Sequence, residues 1–269
     1  MPKFNMNTPM RFSSPRALVL AAGEGTRLRP LTLDRPKPMV PINGKPLLDI
    51  TLGWLRRQGI RDIAINLNYK PHVITDYFGD GRAFGLNLHY SREATLLGTA
   101  GAARAIRDWV DGGTLVLVYG DVLTDLDLRA MLDFHREVQR RDSSAAVTMS
   151  LYHVPNPTEV GLVGMDETGK VTRFLEKPKA EDVFTDLANA GVLIMEPDVL
   201  DLIPENTFCD FGLHVFPMLL RTGLSIYGWV IPDDTYLLDI GSPEKYAQAN
   251  REWPARAAQK PETQFAPLK

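Results

Sequence analysis

Ala17-Leu18-Val19-Leu20-Ala21-Ala22-Gly23-Glu24-Gly25-Thr26-Arg27 passes from an apolar run into two glycines one residue apart, then a hydroxyl and a guanidinium. A strand ending this way can turn sharply and bring backbone N–H groups close to an anion, because no Cβ blocks the approach. Arg27 adds a forked cation suited to phosphate oxygens. Lys37, held between Pro36 and Pro38, adds a point charge on a stiff extended segment. A lone Gly-x-Gly is more often a plain strand-to-loop connection with solvated charges; Gly, Thr, Arg and Lys gathered together favour a phosphate site. Two commoner phosphate motifs fail. A dinucleotide fingerprint needs a third glycine where Leu28 stands, and a Walker loop at Gly44-Lys45 has Met39 in place of its first glycine and Pro46 in place of its hydroxyl residue. Arg11 and Arg16 ahead of the apolar run superficially resemble a signal peptide. The run is short for one and leads directly into the glycine loop, so a first buried strand is expected.

Outward from that loop, strand-like and helix-like patterns alternate. Leu47, Ile50 and Trp54, with Leu48, Leu52 and Leu55, recur at helical spacing, with Pro46 suited to the first turn and Gly59 placed to end the helix. Ile63, Ile65 and Leu67 alternate as a strand, Pro71 to Phe78 reads as a short helix, and Leu86, Leu88 and Tyr90 alternate again. Gly101 to Val110 has Ala-rich helical character. Thr114 to Tyr119 is a continuous apolar run, as in a strand covered on both faces, and stops at Gly120-Asp121. Leu128, Met131, Leu132, His135 and Val138 form a helical stripe, followed by a strand-like Ala145 to Val154. Asp166-Glu167-Thr168-Gly169 is turn chemistry between two strand-like runs and predicts a hairpin. Leu187 to Met195 reads as a buried strand, and Phe211 to Leu220 and Pro243 to Trp253 as helices. The fold class expected is α/β: a Rossmann-like three-layer α/β/α sandwich with a mostly parallel twisted sheet and a small β-rich insertion.

Composition narrows the partners. The 269 residues, 44% hydrophobic and 23% charged, suffice for one large core or two modest ones, and no composition break marks two domains. A net charge of −3 leaves no global basic field for nucleic acid or an anionic membrane, so neither is an expected partner. No stretch approaches the roughly twenty apolar residues of a membrane span. Cys209 is the only cysteine, which excludes an intrachain disulfide and a thiolate pair for structural zinc; a reduced, cytoplasmic setting is expected. The five histidines show no metal-ligand spacing.

The segment Gly23-Glu24-Gly25-Thr26-Arg27-Leu28-Arg29-Pro30, continuing to Pro36-Lys37-Pro38, resembles the signature of the sugar-phosphate nucleotidyltransferases, also called NDP-sugar pyrophosphorylases. The resemblance continues in order through Leu97-Gly98-Thr99-Ala100-Gly101, Gly120-Asp121-Val122-Leu123-Thr124-Asp125, Phe174-Leu175-Glu176-Lys177-Pro178, Asn189-Ala190-Gly191 and Leu238-Asp239-Ile240-Gly241-Ser242-Pro243. Within the family it leans towards the guanylyltransferases that act on mannose 1-phosphate. It implies an enzyme that joins an NTP, GTP favoured, to a sugar 1-phosphate, mannose 1-phosphate favoured, releasing pyrophosphate. The divisions implied are a flexible extension at 1–15, a nucleotidyltransferase domain at 16–253 and a C-terminal tail at 254–269 without hexapeptide repeats, so an assembly mode that depends on such repeats is not expected. Other forms of homo-oligomer stay open.

Carried over residue by residue, the resemblance assigns Ala22, Gly23, Glu24, Gly25 and Thr26 to nucleotide binding, with Gly98 and Thr99 near the nucleobase. Arg27, Lys37 and Asp121 would be catalytic, Asp121 and Asp239 would hold Mg2+, and Gly161, Glu176, Lys177 and Asn189 would face the sugar phosphate. The residues themselves agree for the carboxylates: Asp121 and Asp239 each end an apolar run and could meet at the C-terminal edge of a sheet, where ligands of open α/β folds sit. Either alone is more often a turn or cap residue, and a Glu-Lys-Pro leaving a hairpin more often faces solvent. A phosphate oxygen attacking α-phosphorus is already an anion, so no general base or covalent nucleophile is expected; the difficulty is charge repulsion. One departure is Glu93-Ala94-Thr95-Leu96, where the family usually carries an acidic run and a proline. Rival readings are a thymidylyl- or uridylyltransferase on glucose 1-phosphate, a guanylyltransferase on a heptose 1-phosphate, and a silent NDP-sugar-binding regulatory subunit, which the full charge set disfavours.

Overall fold

Alternation along the first strand assigns the layers. In β1 (Arg16–Leu20), Leu18 enters one apolar layer while Ala17 and Val19 enter the other, the period-two pattern of a strand buried on both faces. The computed structural model describes residues 14–259. Most of the expected N-terminal extension and positions 260–269 of the expected tail lie outside the described residues.

After β1 come a two-residue-per-strand hairpin, β2 (Pro41–Ile42) and β3 (Lys45–Pro46), then α1 (Leu47–Arg57), β4 (Asp62–Leu67), α2 (Pro71–Phe78) and β5 (Asn87–Arg92). The middle of the chain gives α3 (Gly98–Ala105), α4 (Arg107–Val110), β6 (Leu115–Tyr119), β7 (Val122–Thr124), α5 (Leu128–Arg141) and β8 (Ala145–His153). The rest supplies β9 (Gly161–Met165), β10 (Val171–Glu176), β11 (Leu187–Met195), α6 (Pro197–Asp201), α7 (Phe216–Leu219), β12 (Ser225–Val230), β13 (Leu237–Asp239) and α8 (Pro243–Gln259).

Nine strands form one mixed sheet around a parallel core, β5-β4-β1-β6. β11 joins β6 antiparallel, β8 lies antiparallel beyond β11, and β12 is parallel to β8. The register of β11 shifts between Asn189 and Leu193: its second half pairs with β6, and its first half meets the β9–β10 hairpin at Ala188 and Leu162. The β-rich insertion is therefore an extension of the main sheet. Val116 and Val118 face α1, α2 and α5, whereas Leu115 and Leu117 face α3, α4, α6 and α7. Helices thus cover both faces, and the α/β/α sandwich expected from the sequence is the fold. Each fully buried Leu or Val contributes roughly 1.5–3 kcal/mol over its exposed state.

Local signals explain α1. In α1 the apolar stripe Leu48, Leu52 and Leu55 is buried, Asp49 lies in the first turn, and Arg56 and Arg57 lie in the last, all favourable to the helix dipole. The single helix expected at Gly101 to Val110 is instead α3 and α4, separated at buried Ile106, which leaves the helical path (φ −104°, ψ 12°). Phe211 to Leu220 opens as a π-turn, Phe211–Val215, capped by the Asp210 carboxylate on Leu213 N, before becoming α7.

The largest difference from the sequence reading is α8, which continues past Trp253 to Gln259 through Pro254. Proline lacks the N–H that would bond the carbonyl four residues back. That carbonyl, of Asn250, accepts Asn43 Nδ2 at 3.1 Å, and Asn43 N donates to Asn250 Oδ1 at 2.8 Å. The continued helix also places Arg256 on Asp125.

Candidate active site

Most of the resembling residues assemble at the C-terminal end of β1 and β6. The loop after β1 turns through Gly25 in the left-handed region (φ 72°); a Cβ there would stand 2.7 Å from Lys37 Cβ, so glycine lets the loop lie directly on Lys37. Gly23 differs: a Cβ on it would meet no protein atom, and the space it leaves is open to the pocket. Thr32 Oγ1 donates to Gly25 O at 2.8 Å and fixes the turn. Leu28, which disqualified a dinucleotide fingerprint, is buried with Val40, Ile42, Leu123, Ile240 and Trp253. This small core anchors the loop to the β7–β13 ribbon and α8.

The pocket so formed, about 300 Å³, is lined by Gly23, Gly25, Thr26, Arg27, Leu28, Lys37, Asp121 and Gly241. Lys37, its side chain 12% exposed, hydrogen-bonds the Asp121 carboxylate and stands 3.7 Å from Asp239 Oδ1. Asp239 reaches Asp121 differently from the sequence reading. It ends β13, which pairs with β7 in a separate two-stranded ribbon, and Asp239 lies opposite Val122. Burial, then the neighbouring Asp121 charge, raises the Asp239 pKa, against the opposing charges of Lys37, Lys245 and Arg27. Its Oδ1 is buried and accepts no hydrogen bond.

An orphaned carboxylate oxygen beside a second carboxylate suits a hard divalent cation. Among the described residues no group of three or more His, Cys, Asp or Glu could hold a metal, and Mg2+ characteristically takes one or two carboxylates together with water and substrate phosphates. The donor set fits that mode.

The remaining resembling residues are placed as follows. Ala22 is buried at the base of the loop, and Glu24 points outward to pair with Arg29. Gly161 and Glu176 are register partners on β9 and β10, and a Cβ on Gly161 would lie 2.7 Å from Glu176 Oε2. Lys177 follows in the left-handed region (φ 44°), its N donating to Val160 O at 3.1 Å. Asn189 Oδ1 accepts from Gly191 N at 3.0 Å, where β11 shifts register. Gly98 and Thr99 open α3 and do not line the pocket; Gly98 (φ 76°) lies against Cys209 O, where a Cβ would approach to 2.4 Å.

Three residues around these groups, Asp210, Tyr119 and Asn66, were not singled out by the sequence reading, and a fourth, Glu93, entered it only as part of the departing Glu93-Ala94-Thr95-Leu96 stretch. Asp210 Oδ2 accepts from Thr99 Oγ1 at 2.8 Å, and Thr99 Oγ1 in turn accepts from Phe211 N at 2.9 Å. Tyr119, partly buried at the end of β6, has its phenol pKa pushed up by burial and then by the charges of Asp210, Glu176 and Asp121. Burial raises the Glu176 carboxyl, Lys177 opposes, and Asp210 adds to the rise. Asn66 and Glu93 connect the glycine loop to Leu97: Ala21 N donates to Asn66 Oδ1 (2.7 Å), Asn66 Nδ2 to Glu93 Oε1 (2.7 Å), and Leu97 N to Glu93 Oε2 (2.9 Å). Asp210 follows the only cysteine and precedes an apolar run, a weak cap signal; Glu93 stood in the stretch that departs from the family pattern, and Asn66 carried no signal.

A glycine loop, two cations and two carboxylates at the C-terminal edge of a parallel core define a phosphate-handling α/β protein. The family profile described as nucleotidyl transferase matches residues 16–256, and the chain belongs to that family. It is similar to a mannose-1-phosphate guanylyltransferase of Mycobacterium tuberculosis, 41% identical over 235 residues, 87% of this chain and 63% of the relative. It is also similar to a UTP–glucose-1-phosphate uridylyltransferase of Synechocystis, 36% identical over 88% of this chain and 62% of the relative. The chain thus spans somewhat under two thirds of these relatives' length. Among solved structures, HddC from Yersinia pseudotuberculosis is similar with a TM-score of 0.74 and 27% identity, covering 89% of this chain and 99% of that one; its structure complexed with GMP-PN has a TM-score of 0.73. Among the described residues no helix is long and apolar enough to cross a membrane.

Proposed function

We propose that this chain transfers a nucleotidyl group from an NTP to a sugar 1-phosphate, giving an NDP-sugar and pyrophosphate. The observation that carries the proposal is the convergence of Arg27, Lys37 and Asp121 on one glycine-lined pocket, with Asp239 3.7 Å from Lys37, in a member of the nucleotidyl transferase family. In the reaction an oxygen of the sugar phosphate forms a bond to α-phosphorus, and the bond from α-phosphorus to the bridging oxygen breaks as pyrophosphate leaves. Arg27 and Lys37 bind and orient the triphosphate and offset the charge that gathers on the departing group. Open backbone at Gly23 lets phosphate oxygens approach main-chain N–H groups. Lys177 and Glu176 bind the sugar phosphate, the lysine by charge and the carboxyl through sugar hydroxyls. Asp121 and Asp239 would hold Mg2+, which when bound supplies further neutralisation of phosphate charge. Catalysis is positioning and electrostatics, with no proton taken from the nucleophile.

For the substrates we propose GTP and mannose 1-phosphate, supported by the 41% identity to the mycobacterial relative. A uridylyltransferase acting on glucose 1-phosphate is the second reading, favoured by the 36% identity to the Synechocystis relative. A pyrophosphate-release screen that crosses the four NTPs and dTTP with mannose, glucose and heptose 1-phosphates separates them. The expected result is the highest kcat/KM with GTP and mannose 1-phosphate. A higher value with UTP or dTTP removes the guanylyl assignment, and no release with any pair removes the transferase.

A further inference from the structure

Asn66 and Glu93 are buried polar side chains outside the pocket, 4% and 7% exposed, whose hydrogen bonds join two segments far apart in sequence. Asn66 sits on β4 opposite Leu20 at the end of β1, so its Oδ1 reaches Ala21 N just as the chain leaves the sheet for the glycine loop. Glu93 follows β5, tied by its own N–H to Leu67 O at 2.8 Å and by its carbonyl to Asn68 Nδ2 at 2.9 Å. Its two carboxylate oxygens are divided between the segments: Oε1 takes Asn66 Nδ2, and Oε2 takes Leu97 N at the start of α3. Leu97 has no side-chain oxygen to cap α3, and a carboxylate at that helix N-terminus is favourable. Two unconnected acceptors would satisfy Ala21 N and Leu97 N equally well; a bridge that joins them, with each donor matched to one acceptor, also imposes a spacing.

We infer that Asn66 and Glu93 are positioning residues for nucleotide binding, their bridge setting the distance between the phosphate-facing loop at Ala21-Ala22-Gly23 and the base-facing segment at Leu97-Gly98. This rests on the proposed function, and on the family resemblance that sets Gly98 and Thr99 near the nucleobase. The two residues touch neither substrate. They act by holding the two ends of the nucleotide site in register, so their loss falls on the NTP and not on the sugar phosphate.

The donor and acceptor pattern supplies its own test. Glu93→Gln keeps the shape but turns one acceptor into a donor. Facing Asn66 Nδ2 or Leu97 N, the new amide meets another donor; turning Asn66 over merely transfers the mismatch to Ala21 N. Adding Asn66→Asp restores every partner: Asp at 66 accepts from Ala21 N and from the new Gln amide, whose oxygen accepts from Leu97 N, and the single buried carboxylate has moved from 93 to 66. KM for GTP and for mannose 1-phosphate, calorimetric binding of a non-hydrolysable GTP analogue, and Tm are measured for wild type, Glu93→Gln and the double variant. The expected result is a roughly 10- to 100-fold weaker GTP interaction in Glu93→Gln with little change in KM for the sugar phosphate. The double variant is expected to recover to within roughly threefold of wild type. Equal rises in both KM values overturn the inference, as does a double variant with wild-type Tm whose nucleotide binding is no better than that of the single. If Glu93→Gln does not fold, the double variant's binding alone decides between these outcomes. Absence of turnover by the wild type with every NTP strikes the proposed function itself, and the inference falls with it.

Discussion

Lys37 Nζ hydrogen-bonds the Asp121 carboxylate across 84 positions of sequence and stands 3.7 Å from Asp239 Oδ1, so a single ammonium serves both carboxylates of the pocket. The pair is thereby assembled and partly neutralised by the protein alone, on the loop after β1, the end of β6 and the β7–β13 ribbon.

If these carboxylates hold a divalent cation, removing one removes transition-state stabilisation without unfolding the chain. Asp121→Asn and Asp239→Asn are each expected to slow turnover roughly a hundredfold or more, on the order of several kcal/mol. Steady-state rates with graded Mg2+ and with excess chelator, alongside circular dichroism, provide the check. Full activity in chelator, or wild-type rates in both variants, removes the metal.

Arg27 lines the phosphate pocket, whereas Lys177 lies with Glu176 at the end of the β9–β10 hairpin. Their neutral variants should therefore fail differently. Arg27→Ala is expected to lower kcat with the NTP, and Lys177→Ala to raise KM for the sugar phosphate. Two-substrate kinetics compare them, and identical defects would contradict two separate subsites.

Asn43 supplies the donor that Pro254 withholds from Asn250 O. Asn43→Ala should cost about 1 kcal/mol, and less in a Pro254→Ala background, where the helix provides its own N–H. Urea denaturation of the four proteins in a double-mutant cycle reads the difference. Any backbone penalty at Asn43 (φ 49°) is the same in both backgrounds and cancels. Equal costs would show that the asparagine does not replace the missing bond.

Asp142 joins α5 to β8 and β12. Burial alone would raise its carboxyl, but Ser144 Oγ (2.6 Å) and N (2.9 Å), the Tyr227 hydroxyl (2.9 Å) and Lys170 Nζ (3.5 Å) together hold it well below its ordinary 3.8. Between its lowered folded pKa and the ordinary 3.8, the native state then binds fewer protons than the unfolded chain. The contribution is fully present above the unfolded value and is lost as pH falls through the folded one. Asp142→Asn should therefore be less stable than wild type at about pH 6, with the gap narrowing at acid pH. Urea midpoints across the range test this, and a gap that does not change with pH rules out the charge as its source.

Periodicity and resemblance were enough for the α/β/α layers, the parallel core and the loop with Arg27 and Lys37, because each is written locally: a two-residue alternation, a helical stripe, glycines where backbone must be approached. The end of α8 was not legible. Pro254 reads as a stop signal, and only the fold brings Asn43 to the carbonyl it frees. Nor could local pattern show that Asp239 arrives on its own ribbon, that Asp210 accepts a hydrogen bond from Thr99, or that Asn66 and Glu93 bridge Ala21 to Leu97. Each of these depends on which strands become neighbours in the sheet. A side chain's propensity and spacing reflect its near neighbours in sequence, whereas a buried hydrogen bond or shared charge depends on groups brought together from distant parts of the chain by packing of the whole core.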